Sequence, residues 1–133
     1  MDIAEFGFPG PLRDRLVAAI LDGTKTSTSS LLLGHERLGE ALPTVGRRSA
    51  VVDSAGHRVA VIETTGVRVV PLGAVDLAHA VDEGEGDETV ARWRAGHEEF
   101  WHGPEVRDEL GDPAFTVDDD TPVVLERFRV VAG

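Results

Sequence analysis

The chain has 133 residues, 41% of them hydrophobic, enough for one folded domain spanning 1–133. It contains no cysteine, which excludes disulfides, thiol nucleophiles and thiolate metal sites, and no apolar run approaches the ~18–20 residues of a membrane span. The net charge of −11 falls wholly on residues 59–133, with six basic against seventeen acidic groups, while residues 1–58 hold seven of each. A long duplex nucleic acid demands many cationic phosphate contacts, so it is excluded as a partner.

Gly10-Pro11, followed by Leu12, Leu16, Val17, Ile20 and Leu21, predicts an amphipathic helix that Gly23 terminates. A hydroxyl-rich loop, Gly23-Thr24-Lys25-Thr26-Ser27-Thr28-Ser29-Ser30, comes next. Leu31-Leu32-Leu33 reads as a buried turn and residues 39–43 as a loop. Strands are expected at 49–53 and 57–64 around the turn Asp53-Ser54-Ala55-Gly56. Gly66 breaks the run, and 67–70 reads as a third strand.

A short helix is expected at 75–80. After the acidic loop Asp82-Glu83-Gly84-Glu85-Gly86-Asp87, a helix at 88–101 would be capped by Asp87. Its Val90, Trp93, His97, Phe100 and Trp101 share one face, read as core. Residues 103–120 read as an acidic surface loop, with Asp118-Asp119-Asp120 a solvated turn, and 123–131 as a terminal strand. Short strands with inserted helices predict an α+β domain built on a small, closed or nearly closed β structure. The N-terminus, Met1-Asp2-Ile3-Ala4-Glu5, has no basic patch before an apolar stretch, so a cytoplasmic protein is expected.

Lys25 is the only lysine among thirteen basic residues. Guanidinium stays charged at any workable pH, whereas a partly buried ammonium can be tuned to act as a base. The Lys25-x-x-Thr28 spacing allows amine and hydroxyl to meet in an irregular turn, as in serine–lysine nucleophile activation. In the acidic loop, one carboxylate could turn inward to orient Lys25, or the loop could be solvated and complement a helix dipole. Glu63 is a lone carboxylate in an apolar strand, either a paired structural charge or a second site carboxylate. The five histidines show no metal spacing and no phosphate-binding glycine loop occurs, so neither metal nor cofactor is expected.

Six segments in order resemble the ASCH domain family: residues 20–30, 42–46, 61–65, 83–87, 93–100 and 122–128. The resemblance implies a PUA-like small β-barrel with surrounding helices, a cleft near the Gly-x-Lys segment, and action on or binding of RNA. Some members look like hydrolases of N4-acetylcytidine using a Lys, a Thr three residues on, and a Glu. Those positions are Lys25, Thr28 and Glu83 here, with Glu85 a competing assignment. Another member looks like a single-strand ribonuclease relying on the same lysine.

The expected activity is hydrolysis of a modified nucleoside or short single-stranded RNA, with Thr26, Ser29, Ser30, Glu63, Trp93 and His97 lining the substrate. The alternative is a non-catalytic RNA- or nucleotide-binding module in which Lys25 and arginines meet phosphate and Trp93 or Trp101 stacks a base.

Overall fold

The computed structural model describes residues 1–131. Strand β1 (Asp2–Ala4) leads to helix α1 (Pro11–Asp22), which has proline in its first turn and closes on Gly23 in the left-handed region at φ 88°. Strand β2 (Ser27–Leu31) and helix α2 (Leu32–Leu38) follow, then the hairpin of β3 (Arg48–Val52) and β4 (Arg58–Pro71). A 3₁₀ turn at Leu72–Ala74 precedes helices α3 (Leu77–Asp82), α4 (Val90–Trp101) and α5 (Pro104–Leu110), and β5 (Pro122–Val131) is the last described element.

The strands form one sheet in the order β1-β3-β4-β5-β2, with β1 parallel to β3 and every other pair antiparallel. The α+β expectation holds, but the closed barrel does not, because β1 and β2 are free edges of an open sheet. Main-chain groups at the start of β2 are satisfied from outside any sheet. Thr26 N donates to Asp82 O at 2.8 Å and Ser27 O accepts from Lys25 Nζ at 2.7 Å. An edge covered in this way offers little for another strand to pair with.

Apolar clusters pack on both sides of the sheet. One joins Leu31, Val123 and Leu125 to Leu72, Trp93, Trp101, Val106 and Phe115. The other places Val17 and Ile20 of α1 with Phe6, Val51, Ile62 and Phe128.

Five further expectations change. The hydroxyl-rich segment is strand from Ser27 onward, and Leu31–Leu33 ends β2 and opens α2 rather than forming a turn. Residues 67–70 continue β4 across a register shift between Thr64 and Gly66 instead of forming a separate strand. Helix α4 is capped by the Thr89 side chain, which accepts from Arg92 N, and not by Asp87. The supposed loop 103–120 contains α5, which buries Val106 and Leu110.

Candidate functional site

Two turns of local structure bring the site together. The left-handed Gly23 ends α1 and lets the chain double back, so Lys25 N donates to Ala19 O at 3.1 Å. Asp76 caps α3 by accepting from His79 N at 2.8 Å, and the helix ends at Glu83 with His79 one turn behind it. Gly84 then passes over the Lys25 segment. A Cβ there would lie 2.7 Å from Thr24 O and 2.8 Å from Lys25 N, a contact only glycine permits.

Glu83 is the hub. It is 2% exposed and each of its oxygens has several partners. Oε2 accepts from Trp93 Nε1 at 2.6 Å and Ser29 Oγ at 2.7 Å, with His79 Nε2 at 3.2 Å. Oε1 faces His97 Nε2 at 3.2 Å and Lys25 Nζ at 3.6 Å. Lys25, also 2% exposed, donates to Ser27 O at 2.7 Å and Glu83 O at 3.3 Å, and its ammonium lies 5.8 Å from the centre of the Phe6 ring.

The protonation pattern follows from these partners. His97 Nδ1 faces the Trp93 carbonyl at 2.9 Å and Nε2 faces a carboxylate, so both nitrogens donate and the ring is an imidazolium. It stacks on the Trp93 indole with centroids 4.2 Å apart, a cation–π arrangement. In His79, Nδ1 is buried with no hydrogen-bond partner among the described residues, and Nε2 lies 2.7 Å from Ser29 Oγ.

Opposing environments spread the acidities. Burial alone would raise the Glu83 carboxyl, but hydrogen bonds from His79 and His97 and the charges of His97 and Lys25 hold it well below the usual range. Burial pushes the Lys25 ammonium down against the pull of Glu83 and Glu85. His97 is raised, because its hydrogen bond to Glu83, the Glu83 charge and the Trp93 carbonyl outweigh burial. Glu85 belongs to the exposed rim, yet crowding of its carboxylate by protein atoms raises it, with the charges of Lys25 and His97 opposing.

Carboxylate oxygens of Glu83 and Glu85 and a nitrogen of His97 lie within 4.8 Å of one another, a spacing that could gather a cation. Such an ion would have to displace the His97 Nε2 proton and sit beside the Lys25 ammonium. The donor set therefore suits an ion pair better than a metal.

Of the residues expected from the sequence, Lys25, Ser29, Glu83, Glu85, Trp93 and His97 converge. Thr28 does not join them. Strand alternation turns Thr28 and Ser30 to the face opposite Ser27 and Ser29. Among the described residues the Thr28 hydroxyl makes no hydrogen bond, while Ser30 Oγ meets His35 Nε2 at 2.9 Å. Thr26 contributes main-chain bonds, to Asp82 O and from Phe128 N. Glu63 is a structural charge, paired with Arg129 at 2.8 Å and Arg48 at 3.3 Å. Trp93 is 0% exposed and Trp101 is buried, so neither has a face open to a base. His79 was missed, although its four-residue spacing from Glu83 on a helical segment signals a pair on one face.

The ASCH domain model matches residues 3–132. No curated protein matches the chain. The crystal structure of a protein from Enterococcus faecalis V583, placed in family DUF984, is similar at TM-score 0.83 and 28% identity, covering 98% of this chain and 76% of that one. An ASCH domain from Lactobacillus crispatus JV V101 aligns at TM-score 0.82 and 29% identity, over 97% of this chain and 78% of its own. With a match over almost its whole length and the same fold in a solved relative, the chain belongs to the ASCH domain family.

Proposed function

We propose that this domain hydrolyses a small nucleoside-like amide, of which N4-acetylcytidine is the type, or a short single-stranded RNA, with Lys25 as the base. The carrying observation is the convergence of Lys25, Glu83, Glu85 and His97 with acidities driven in opposite directions. Groups pushed apart in this way are what acid–base chemistry at neutral pH requires. The His97 imidazolium balances the Glu83 charge, which leaves the desolvated Lys25 freer to exist as the neutral amine.

In amide hydrolysis Lys25 takes a proton from attacking water, whose oxygen bonds to the acyl carbon. The carbon–nitrogen bond then breaks and the proton passes to the leaving exocyclic amine. Water serves as nucleophile because Thr28 lies on the other face and Ser29 is tied to Glu83. Glu83, held by several donors, is too weak a base for this step and fixes Lys25 instead. Glu85, at the rim, is the carboxylate placed to meet substrate. Substrate reaches the enclosed amine by movement of the 84–86 segment, where Gly84 and Gly86 both have positive φ.

A binding module is the second reading. It is favoured by the three acceptors around Lys25 Nζ, which also suit a permanent ammonium. Turnover of N4-acetylcytidine and a short single-stranded RNA by Lys25→Arg and Lys25→Ala separates the two, once circular dichroism shows that both variants are folded. A base role predicts a loss of about 10²–10⁴-fold in each. Near-native turnover in Lys25→Arg removes the base role.

A further inference from the structure

We infer that the cavity between α1 and the acidic loop is a phosphate-recognising subsite in which Arg15 holds the phosphate of a nucleoside monophosphate whose base lies toward Glu85. The inference rests on reading the neighbouring cluster as a nucleoside site. The cavity has a volume of about 350 Å³ and is lined by Arg15, Leu16, Ala19, Gly84 and Glu85. That size suits one small ligand, not a strand. Gly84 both lines it and lies against the Lys25 backbone, so the cavity adjoins the ionisable cluster.

Arg15 stands out by what it lacks. In a chain with 24 acidic residues, seven arginines face a carboxylate within 4.0 Å and two more donate to main-chain carbonyls. Among the described residues Arg15, Arg58 and Arg92 have no side-chain hydrogen bond or salt bridge, and of these Arg15 lines this cavity. Arg15 and Ala19 are one helical turn apart and share a wall. Glu85 supplies a carboxylate elsewhere in the lining. A ligand that satisfies both carries an anionic group at one end and an N–H donor, such as an exocyclic amine, at the other. A single unpaired guanidinium suits one phosphate and not a run of them.

The test is calorimetric titration of the full chain with the four common nucleosides and with their 5′- and 3′-monophosphates. The variants are Arg15→Ala and, as a control, Arg58→Ala. A charge-assisted phosphate contact is expected to make one monophosphate bind about ten- to a hundredfold tighter than its nucleoside. Arg15→Ala should abolish that advantage while leaving the nucleoside's affinity unchanged, and Arg58→Ala should keep it. Equal affinities in the native chain, an advantage that survives Arg15→Ala, or no binding of any nucleoside or nucleotide overturns the proposal. Tight monophosphate binding by a chain that turns over neither N4-acetylcytidine nor a short single-stranded RNA removes the hydrolase reading alone, so the two failures are distinguishable.

Discussion

Replacing Glu83 by glutamine keeps the shape of the hub and removes its charge. No orientation of the new amide restores the network. With its nitrogen at the Oε1 position it faces Lys25 Nζ, 3.6 Å from Oε1 in the native site, and can bond His97 Nε2, at 3.2 Å, only if that ring gives up its proton. With its nitrogen at the Oε2 position it faces Trp93 Nε1, 2.6 Å from Oε2, and only Ser29 can turn to accept from it. The buried Lys25 ammonium and the half-buried His97 imidazolium also lose their counter-charge. Breaking a buried pair by removing one partner costs about 3–5 kcal/mol, against a total of about 5–15 kcal/mol for a typical domain. With a urea dependence near 2 kcal/mol per molar, the midpoint should fall by about 2 M. Trp93 fluorescence reads the transition, since the indole is enclosed and bonded to the substituted group. Down to about pH 4.5 the loss should grow as pH falls, because without Glu83 the folded state holds His97 and Lys25 less readily protonated than the unfolded chain does. A loss under about 1 kcal/mol at pH 6 would refute the claim that Glu83 is a charged hub.

In the native chain the Glu83 carboxyl lies below its usual 4.5, so its contribution is present above pH 4.5 and is lost as pH drops toward the folded value. His97 lies above 6.5, so its contribution is full below pH 6.5 and fades as pH rises through the folded value. Urea titrations should therefore show the cluster most stabilising between pH 4.5 and 6.5, with a decline above pH 6.5 that His97→Asn flattens. An identical slope in that variant refutes the imidazolium assignment. Gly84→Ala should destabilise by about 2 kcal/mol or more, since it combines φ +74° with backbone at 2.7 Å, whereas Gly86→Ala, at φ +81° with nothing within 4 Å, should cost about 1 kcal/mol. Equal losses in the two, measured by urea melts, argue against the close approach. In a fluorescence-polarisation titration near physiological salt, duplex RNA should show no submicromolar binding, and such binding overturns the charge argument.

Helix α1 was legible because proline and glycine mark its ends, and the 49–64 hairpin because turn residues separate two apolar runs. The strand character of β2 was hidden. Its residues are four hydroxyls and a leucine, and what makes them strand is the register with β5 together with bonds from Ser27 and Ser29 to α3 and Glu83. That miss also misplaced Thr28, since a three-residue spacing brings side chains together in a turn but sets them on opposite faces along a strand. Helix α5 had readable signals, Pro104 at its start, Val106 and Leu110 four apart, and Gly111 after it, but an acidic composition outweighed them. The open sheet could not be read at all. It depends on which groups cover the β2 edge: Asp82 O, more than fifty positions from Thr26, and the Lys25 side chain folded back onto Ser27 O.

The solitary lysine follows from the geometry around it. Its ammonium meets Ser27 O, Glu83 O and Glu83 Oε1 at 2.7, 3.3 and 3.6 Å, three acceptors for three N–H bonds about one compact atom. A guanidinium would spread five donors in a plane, which three acceptors gathered about one atom do not match. Arginine serves elsewhere in this chain, where carboxylates are reached from the surface, as in the pairs of Arg129 with Glu63 and Arg127 with Asp82. Lysine at position 25 therefore suits the acceptors it meets, and chemistry can draw on the same feature. Three acceptors and the carboxylates stabilise the charged form, while burial stabilises the neutral one and pulls the Lys25 ammonium below its ordinary value. A substrate sealing the rim, or protonation of Glu85, would shift it further toward the amine.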